Sequence, residues 1–367
     1  MSWHAVEAVD DAVEITRRFL FPFSLVRWTK LALLVLLMGG GMGANPSVST
    51  SIPSASNGDG RDQWVSQPDS GLVSVGPFDG AISLDALLLA AAGIGIALVV
   101  VLSVCSLSLR LVFYDALRTD DVRLWRPFLA RLRQAVGLFA LSVLLGVAAT
   151  VPFALAVLVA VSGTGPIGWR PANSLVEVIA GLSTGPTVAL GLLGGSIALI
   201  AVLALRFTYE FVVPTMVAKD TDVFAGWGRF SGVARRNWTE VIVYLVVHFF
   251  IGVGISIVEG IAFVLVGATV AVFAGLLLLF AAIPLGGLTA LGGTTVGTAV
   301  IVIVVLAAIL VLTVFLLPVR IVTRTYRIAY EVSTLRGIDS GMALFHPDID
   351  PNSHSPVIPD SERSADE

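Results

Sequence analysis

The chain has one cysteine, two lysines, four histidines and few charges of either sign. Cys105, being alone, excludes an intramolecular disulfide and a thiolate metal cluster built from one chain. It lies in an apolar run, where a cysteine behaves as a small hydrophobe. Charged residues make up 13% of the 367, against roughly 25% in a soluble globular domain. A water-facing surface needs charge, so this composition excludes an ordinary soluble globule of this size. With 56% hydrophobic residues and a mean hydropathy of +0.92, the chain falls in the membrane class. Its net charge of −4 brings no basic excess, so the expected partner is the lipid bilayer and not nucleic acid. His4, His248, His346 and His354 are too scattered to suggest a metal site, and no cofactor is expected. The sequence contains no HExxH, no GxSxG, no Walker loop and no dinucleotide fingerprint, so no enzyme is expected.

What is abundant is apolar runs long enough for a bilayer, which needs about 20 mostly apolar residues per helix. Spans are expected at about 26–43, 84–109, 135–161, 187–213, 240–266 and 298–317. Pro152 is placed to kink the third. The first is short and ends in Gly39-Gly40-Gly41; a cleaved signal peptide is its alternative reading, opposed by the long charged stretch ahead of it. Residues 45–81, rich in Ser, Gly, Pro and Asp, read as an outer flexible loop, and 346–367 as a disordered acidic tail after a single transmembrane domain, 1–345. Residues 268–295 are apolar but interrupted by Pro284, Gly286, Gly287, Gly292 and Gly293.

Arginine sets the orientation, because connectors rich in Lys and Arg stay in the cytoplasm. Arg17, Arg18, Arg27 and Lys30 precede the first span. Six arginines from Arg110 to Arg133 follow the second. Arg206, Lys219, Arg229, Arg235 and Arg236 follow the fourth, and Arg320, Arg324, Arg327 and Arg336 the last. The alternate connectors carry only Arg61 and Arg170. Both termini are therefore expected in the cytoplasm, in the cell membrane. The number of crossings is then even, and 268–295 reads as a broken or re-entrant segment. The sequon Asn237-Trp238-Thr239 falls on the inner side and is read as chance. The fold class is all-α: a polytopic transmembrane helical bundle of six spans, with seven or eight as alternatives.

Three stretches have helical apolar spacing beside acidic residues. They are Val6, Val9, Val13 and Leu20; Val122, Trp125, Leu129 and Leu132 after Asp120 and Asp121; and Val223, Trp227, Phe230, Ala234 and Trp238 after Asp220 and Asp222. They are expected to be interfacial amphipathic helices capped by the aspartates. They open two readings: three copies of a helix-plus-two-spans unit, or ordinary surface linkers. Trp28, Tyr114, Trp125, Tyr209, Trp227, Trp238, Tyr326 and Tyr330 fit aromatic belts.

Ionisable residues inside spans are costly and mark candidate sites. His248 is such a residue, with Tyr244 one turn before it and Glu259 three turns after it on the same face. Together they form a candidate intramembrane polar site; the competing reading is a packing hydrogen bond for His248 and an end marker for Glu259. Arg206 and Glu210, spaced i,i+4, form a candidate interfacial ion pair ahead of Pro214.

Two stretches carry a family resemblance. One runs from Phe211-Val-Val-Pro214 through Asp222, Trp227-Gly-Arg-Phe230 and Arg235-Arg-Asn-Trp238. The other joins Arg327-Ile-Ala-Tyr330-Glu331 to Leu335-Arg-Gly-Ile-Asp339. They resemble the six-span membrane domain that accompanies some glycerophosphodiester phosphodiesterases. The chain as a whole resembles multi-pass membrane proteins of halophilic archaea, uncharacterised in function, related to that domain. Scarce lysine beside abundant aspartate also resembles proteins of salt-loving microbes. The resemblance implies six spans and interfacial helices. It carries no catalytic residue, because the phosphodiesterase chemistry belongs to a separate soluble domain. The expected function is a non-enzymatic membrane scaffold or accessory factor. A small-solute or ion transporter or channel is the first alternative, and a lipid-handling membrane enzyme the second.

Overall fold

A computed structural model describes residues 4–39, 84–162, 183–342 and 344–353, with short pieces at 173–174, 177–179 and 181. The expected outer loop 45–81 and the last part of the expected tail, 354–367, lie outside the described residues. All regular structure among the described residues is helical: α1 (His4–Leu20), α2 (Leu25–Gly39), α3 (Leu84–Thr119), α4 (Trp125–Ser162), α5 (Thr184–Phe207), a π-helical turn (Thr208–Val212), α6 (Val213–Lys219), α7 (Val223–Arg236), α8 (Trp238–Leu285), α9 (Leu288–Gly293) and α10 (Thr295–Ile338), with a 3₁₀ turn at Ser340–Met342. Five of these segments, Leu87–Thr119, Trp125–Val157, Gly185–Lys219, Trp238–Leu285 and Thr295–Ile338, are long and apolar enough to cross a membrane. The first expected span, 26–43, falls on α2, whose 15 described residues are not among these five.

The described residues form two compact units. One comprises 84–107, 138–162 and 183–205, the apolar parts of α3, α4 and α5. Leu89, Ile94, Phe153, Leu192 and Ile200 there stand bare. Exposing such surface to water costs about 25 cal/mol per Å², whereas lipid tails accept it. Bare apolar helices of this length fit a multi-pass membrane protein.

The other unit holds residues 4–39, 108–137 and 206–353 and contains the buried core. Helix α1 lies against α10 and α8, and α2 against α10. The buried face of α1 is Ala5, Ala8, Ala12, Ile15 and Phe19, while Val6 and Val13 of the expected stripe are half exposed. Close backbone approach favours the small side chains, which turns the helix away from its valines. Gly337 of α10 shows how close: a Cβ there would lie 2.8 Å from His4 Cβ. The second expected stripe is not a separate helix but the connector and first turns of α4; Val122 is buried, Trp125 and Leu129 exposed. The third matches α7 over Val223 and Phe230, with Trp238 exposed at the start of α8.

The aspartates do other work than capping. Asp222 stands at the N-cap of α7 without a side-chain cap bond. Asp120 and Asp220 follow the ends of α3 and α6 in the left-handed region, each at φ +50°. Aspartate tolerates that conformation better than most side chains. Each is also held by an arginine, Asp120 by Arg27 at 2.5 Å and Asp220 by Arg131 at 2.5 Å. On α1, Arg18 Nε donates to Glu14 at 2.7 Å and holds that carboxyl below its ordinary range.

Residues 268–285 continue α8 without a break. The interruption falls at Gly286 and Gly287, with φ of +93° and +114°, followed by α9. Helices α8 and α10 thus form a long antiparallel hairpin with α9 at its tip. Pro284 stands in the last turn of α8, just before the break. Of the expected tail, residues 346–353 are folded: Ile349 is buried, Arg336 bridges Asp350 and Asp11, and Asn352 Nδ2 donates to Asp11 at 3.0 Å.

Gly297 packs at the hairpin tip, where a Cβ would run into the backbone carbonyls of Ala290 and Leu291; nothing lies within 4 Å of one at Gly292. Gly297→Ala is expected to cost about 1–3 kcal/mol, and Gly292→Ala to be neutral or mildly stabilising. Thermal unfolding in detergent measures both.

Candidate functional site

The site is built where α5 meets Pro214. Proline has no N–H, and its ring presses on the carbonyl four residues back, here that of Glu210. The chain answers with one wide turn: Val213 N–H donates to Thr208 O, five residues back. Such π turns recur at functional sites. All five residues of this one, Thr208 to Val212, are buried. The wide turn sends Tyr209, Glu210 and Phe211 into the core together. Trp227 of α7 donates to Thr208 Oγ1 at 3.1 Å, fixing the turn from outside.

Glu210 is the hub. Its Oε1 accepts from Arg206 Nε at 2.9 Å and lies 3.3 Å from His248 Nε2 of α8. The other ring nitrogen, Nδ1, is 3.0 Å from Tyr244 OH. A neutral imidazole has one donor and one acceptor. With a carboxylate at Nε2, that nitrogen carries the proton, and the Tyr244 hydroxyl donates to Nδ1. Tyr330 of α10 stacks on Tyr244 at 5.6 Å and an 8° interplanar angle, and Phe211 tilts against Tyr244 at 4.5 Å. The histidine and carboxylate therefore sit in an aromatic wall contributed by α8, α10 and the π turn.

A second set joins the same unit. Arg110 of α3, nearly fully buried, donates from Nη2 to Tyr209 O at 3.3 Å and lies 4.7 Å over the Tyr209 ring. Tyr114, one turn on, donates to Glu331 Oε2 at 3.1 Å. A third arginine, Arg131 of α4, forks onto Asp115 with two bonds of 2.9 Å and reaches Asp220 and Gln134. It forms one wall of a cavity of about 1060 Å³, also lined by Asp121, Arg126, Arg133 and Asp222.

The structure thus merges the two expected sites: Arg206 and Glu210 join Tyr244 and His248 in one cluster. Glu259 is elsewhere. Eleven residues from His248, or about 16 Å along the helix, it accepts from Thr323 Oγ1 of α10 at 2.7 Å and lines a separate cavity of about 270 Å³. Arg110, Tyr114, Tyr330 and Glu331 were not singled out as site residues from the sequence. Arg110 looks like a span terminator and the tyrosines like belt residues. The available signal was an arginine and a glutamate inside otherwise apolar helical faces. Among the described residues, no group of three or more His, Cys, Asp or Glu is placed to hold a metal ion.

Removing one partner from a buried ionic set leaves the others uncompensated, at about 3–5 kcal/mol. Arg110→Leu is expected to lose stability in that range. Arg126→Leu, on an exposed position, is expected to change it by less than about 0.5 kcal/mol. Denaturant titration in detergent compares them.

No curated protein and no solved structure matches the chain. A family match does cover it, over residues 3–345. With nearly its whole length matched, the chain belongs to the family of unknown function DUF7544.

Proposed function

We propose that this protein is a six-span protein of the cell membrane, with both termini cytoplasmic, acting as a non-enzymatic scaffold or accessory factor. The topology follows from where the apolar runs meet charge. Residues 84–109 end at Arg110, 187–205 at Arg206 and 300–319 at Arg320, while 260–285 begin after Glu259. Each run reaches about 30 Å or nearly so at 1.5 Å per residue, the thickness of the hydrocarbon core. The fifth crossing is then 260–285 and not 240–266, so no re-entrant segment is needed. The hairpin tip lies outside, and the cluster around Glu210 lies at the inner boundary with α1, α7 and the charged start of α2.

One observation carries the scaffold reading. Arg110, Tyr114, Glu210, Tyr244, His248 and Glu331 face one another across α3, the π turn, α8 and α10, and none lines either cavity. Polar groups so engaged rigidify the helices just beyond their apolar runs and fix their register. Kinship with the membrane domain of glycerophosphodiester phosphodiesterases is part of this reading and adds no catalytic group. The π turn favours one rival, a transporter for a small solute or ion, since Glu210 and His248 are the acid and base such a path uses.

Two experiments test the reading. In a Cys105→Ser background, Phe250→Cys, exposed on α8, is expected to react with a membrane-impermeant thiol reagent in inside-out vesicles. Protection there together with reaction from outside intact cells would overturn the topology. His248→Ala is expected to lower the unfolding temperature and leave solute or ion flux unchanged. A stable, folded variant with altered flux would establish the transporter reading in its place.

A further inference from the structure

We propose that Arg324 and Arg327 of α10 form a binding site for a phosphate-bearing anion. Both guanidiniums are half buried, and neither makes a hydrogen bond or ion pair among the described residues. Their surroundings crowd them with like charge, and the carboxylates that face them, Glu331 and Glu259, are shared with other groups. From α3, Arg110 adds a like charge beside Arg324; from the α5 end, Arg206 stands near His248, which Arg327 also faces. The carboxylates within reach already have donors. Glu331 accepts from Tyr114, Glu210 from Arg206, and Glu259 from Thr323. Four guanidiniums therefore share three engaged acids.

A guanidinium offers five N–H donors in a fixed fork. Two such forks, one helical turn apart and shielded from full hydration, match a tetrahedral oxyanion with several acceptor oxygens. Position gives the same answer. Arg320 ends the 300–319 apolar run, so Arg324 lies about 6 Å and Arg327 about 10 Å beyond that boundary along the helix. That is the depth of lipid phosphates. The ligand is a phosphate group, carried on an anionic lipid headgroup or free in solution. The inference rests on the topology proposed above, whose failure is read separately by the labelling of Phe250→Cys.

The test uses the full chain in nanodiscs of phosphatidylcholine with and without phosphatidylglycerol, and in detergent with and without inorganic phosphate. The unfolding midpoint and native mass spectrometry of retained lipid are the readouts. Wild type is expected to be stabilised by phosphatidylglycerol and to retain it, with about tenfold weaker apparent affinity for each guanidinium removed in R324Q, R327Q and the double variant. R126Q is expected to behave as wild type. Stabilisation by inorganic phosphate alone, lost in the double variant, would assign the site to a free anion. Stabilisation by neither probe, or a response to phosphatidylglycerol that the double variant keeps in full, would overturn the proposal. If the double variant does not fold, R324K and R327K, which keep charge but lose the fork, are expected to bind more weakly than wild type. Their equality with it would also overturn the proposal.

Discussion

A buried carboxylate tied to arginine and histidine on neighbouring helices is what the rest of the folded unit depends on. Glu210 holds Arg206 and His248, and through Tyr244 it reaches the aromatic wall. In water, apolar faces would drive α8 and α10 together. In lipid that drive is absent, because the tails are as apolar as leucine. Register between such helices has to come from directional contacts. Here those contacts concentrate at one end of the apolar runs: Arg110 on Tyr209, Tyr114 on Glu331, Arg131 on Asp115 and Asp220.

Proline gives this arrangement its local cause. Pro214 would normally weaken a helix. Placed four residues after Glu210, it shifts the helix into a π turn that buries every residue of the turn at once. The same stretch then ends at Asp220, in the left-handed conformation and held by Arg131. Asp120 ends α3 in the same way, held by Arg27. Two helix ends thus share a device, an aspartate that turns the chain and captures an arginine from another helix.

Much of the architecture was legible from the residues. Apolar length and arginine spacing located the long helices, and the i,i+4 spacings of Arg206 with Glu210 and Tyr244 with His248 pointed at real pairs. What misled was treating face and helix as sufficient. Glu259 shares a face with His248 but lies too far along the axis to meet it. Val6 and Val13 look like the buried stripe of α1, yet the alanines are the ones inside, because close packing selects small side chains. Glycines at 286 and 287 looked like a broken segment starting at 268, whereas a helix in apolar surroundings runs on until its backbone must turn.

Composition and periodicity alone determined that the chain is helical and apolar, with runs long enough to cross a bilayer, since these depend on the sum of local preferences. Long-range pairing was decided only by the tertiary structure. Sequence spacing cannot say that an arginine in α3 lies on a tyrosine 99 residues away, or that a tyrosine there reaches a glutamate 217 residues away. Those meetings depend on which helices are neighbours and at what depth, and both are properties of the packed chain, not of any segment of it.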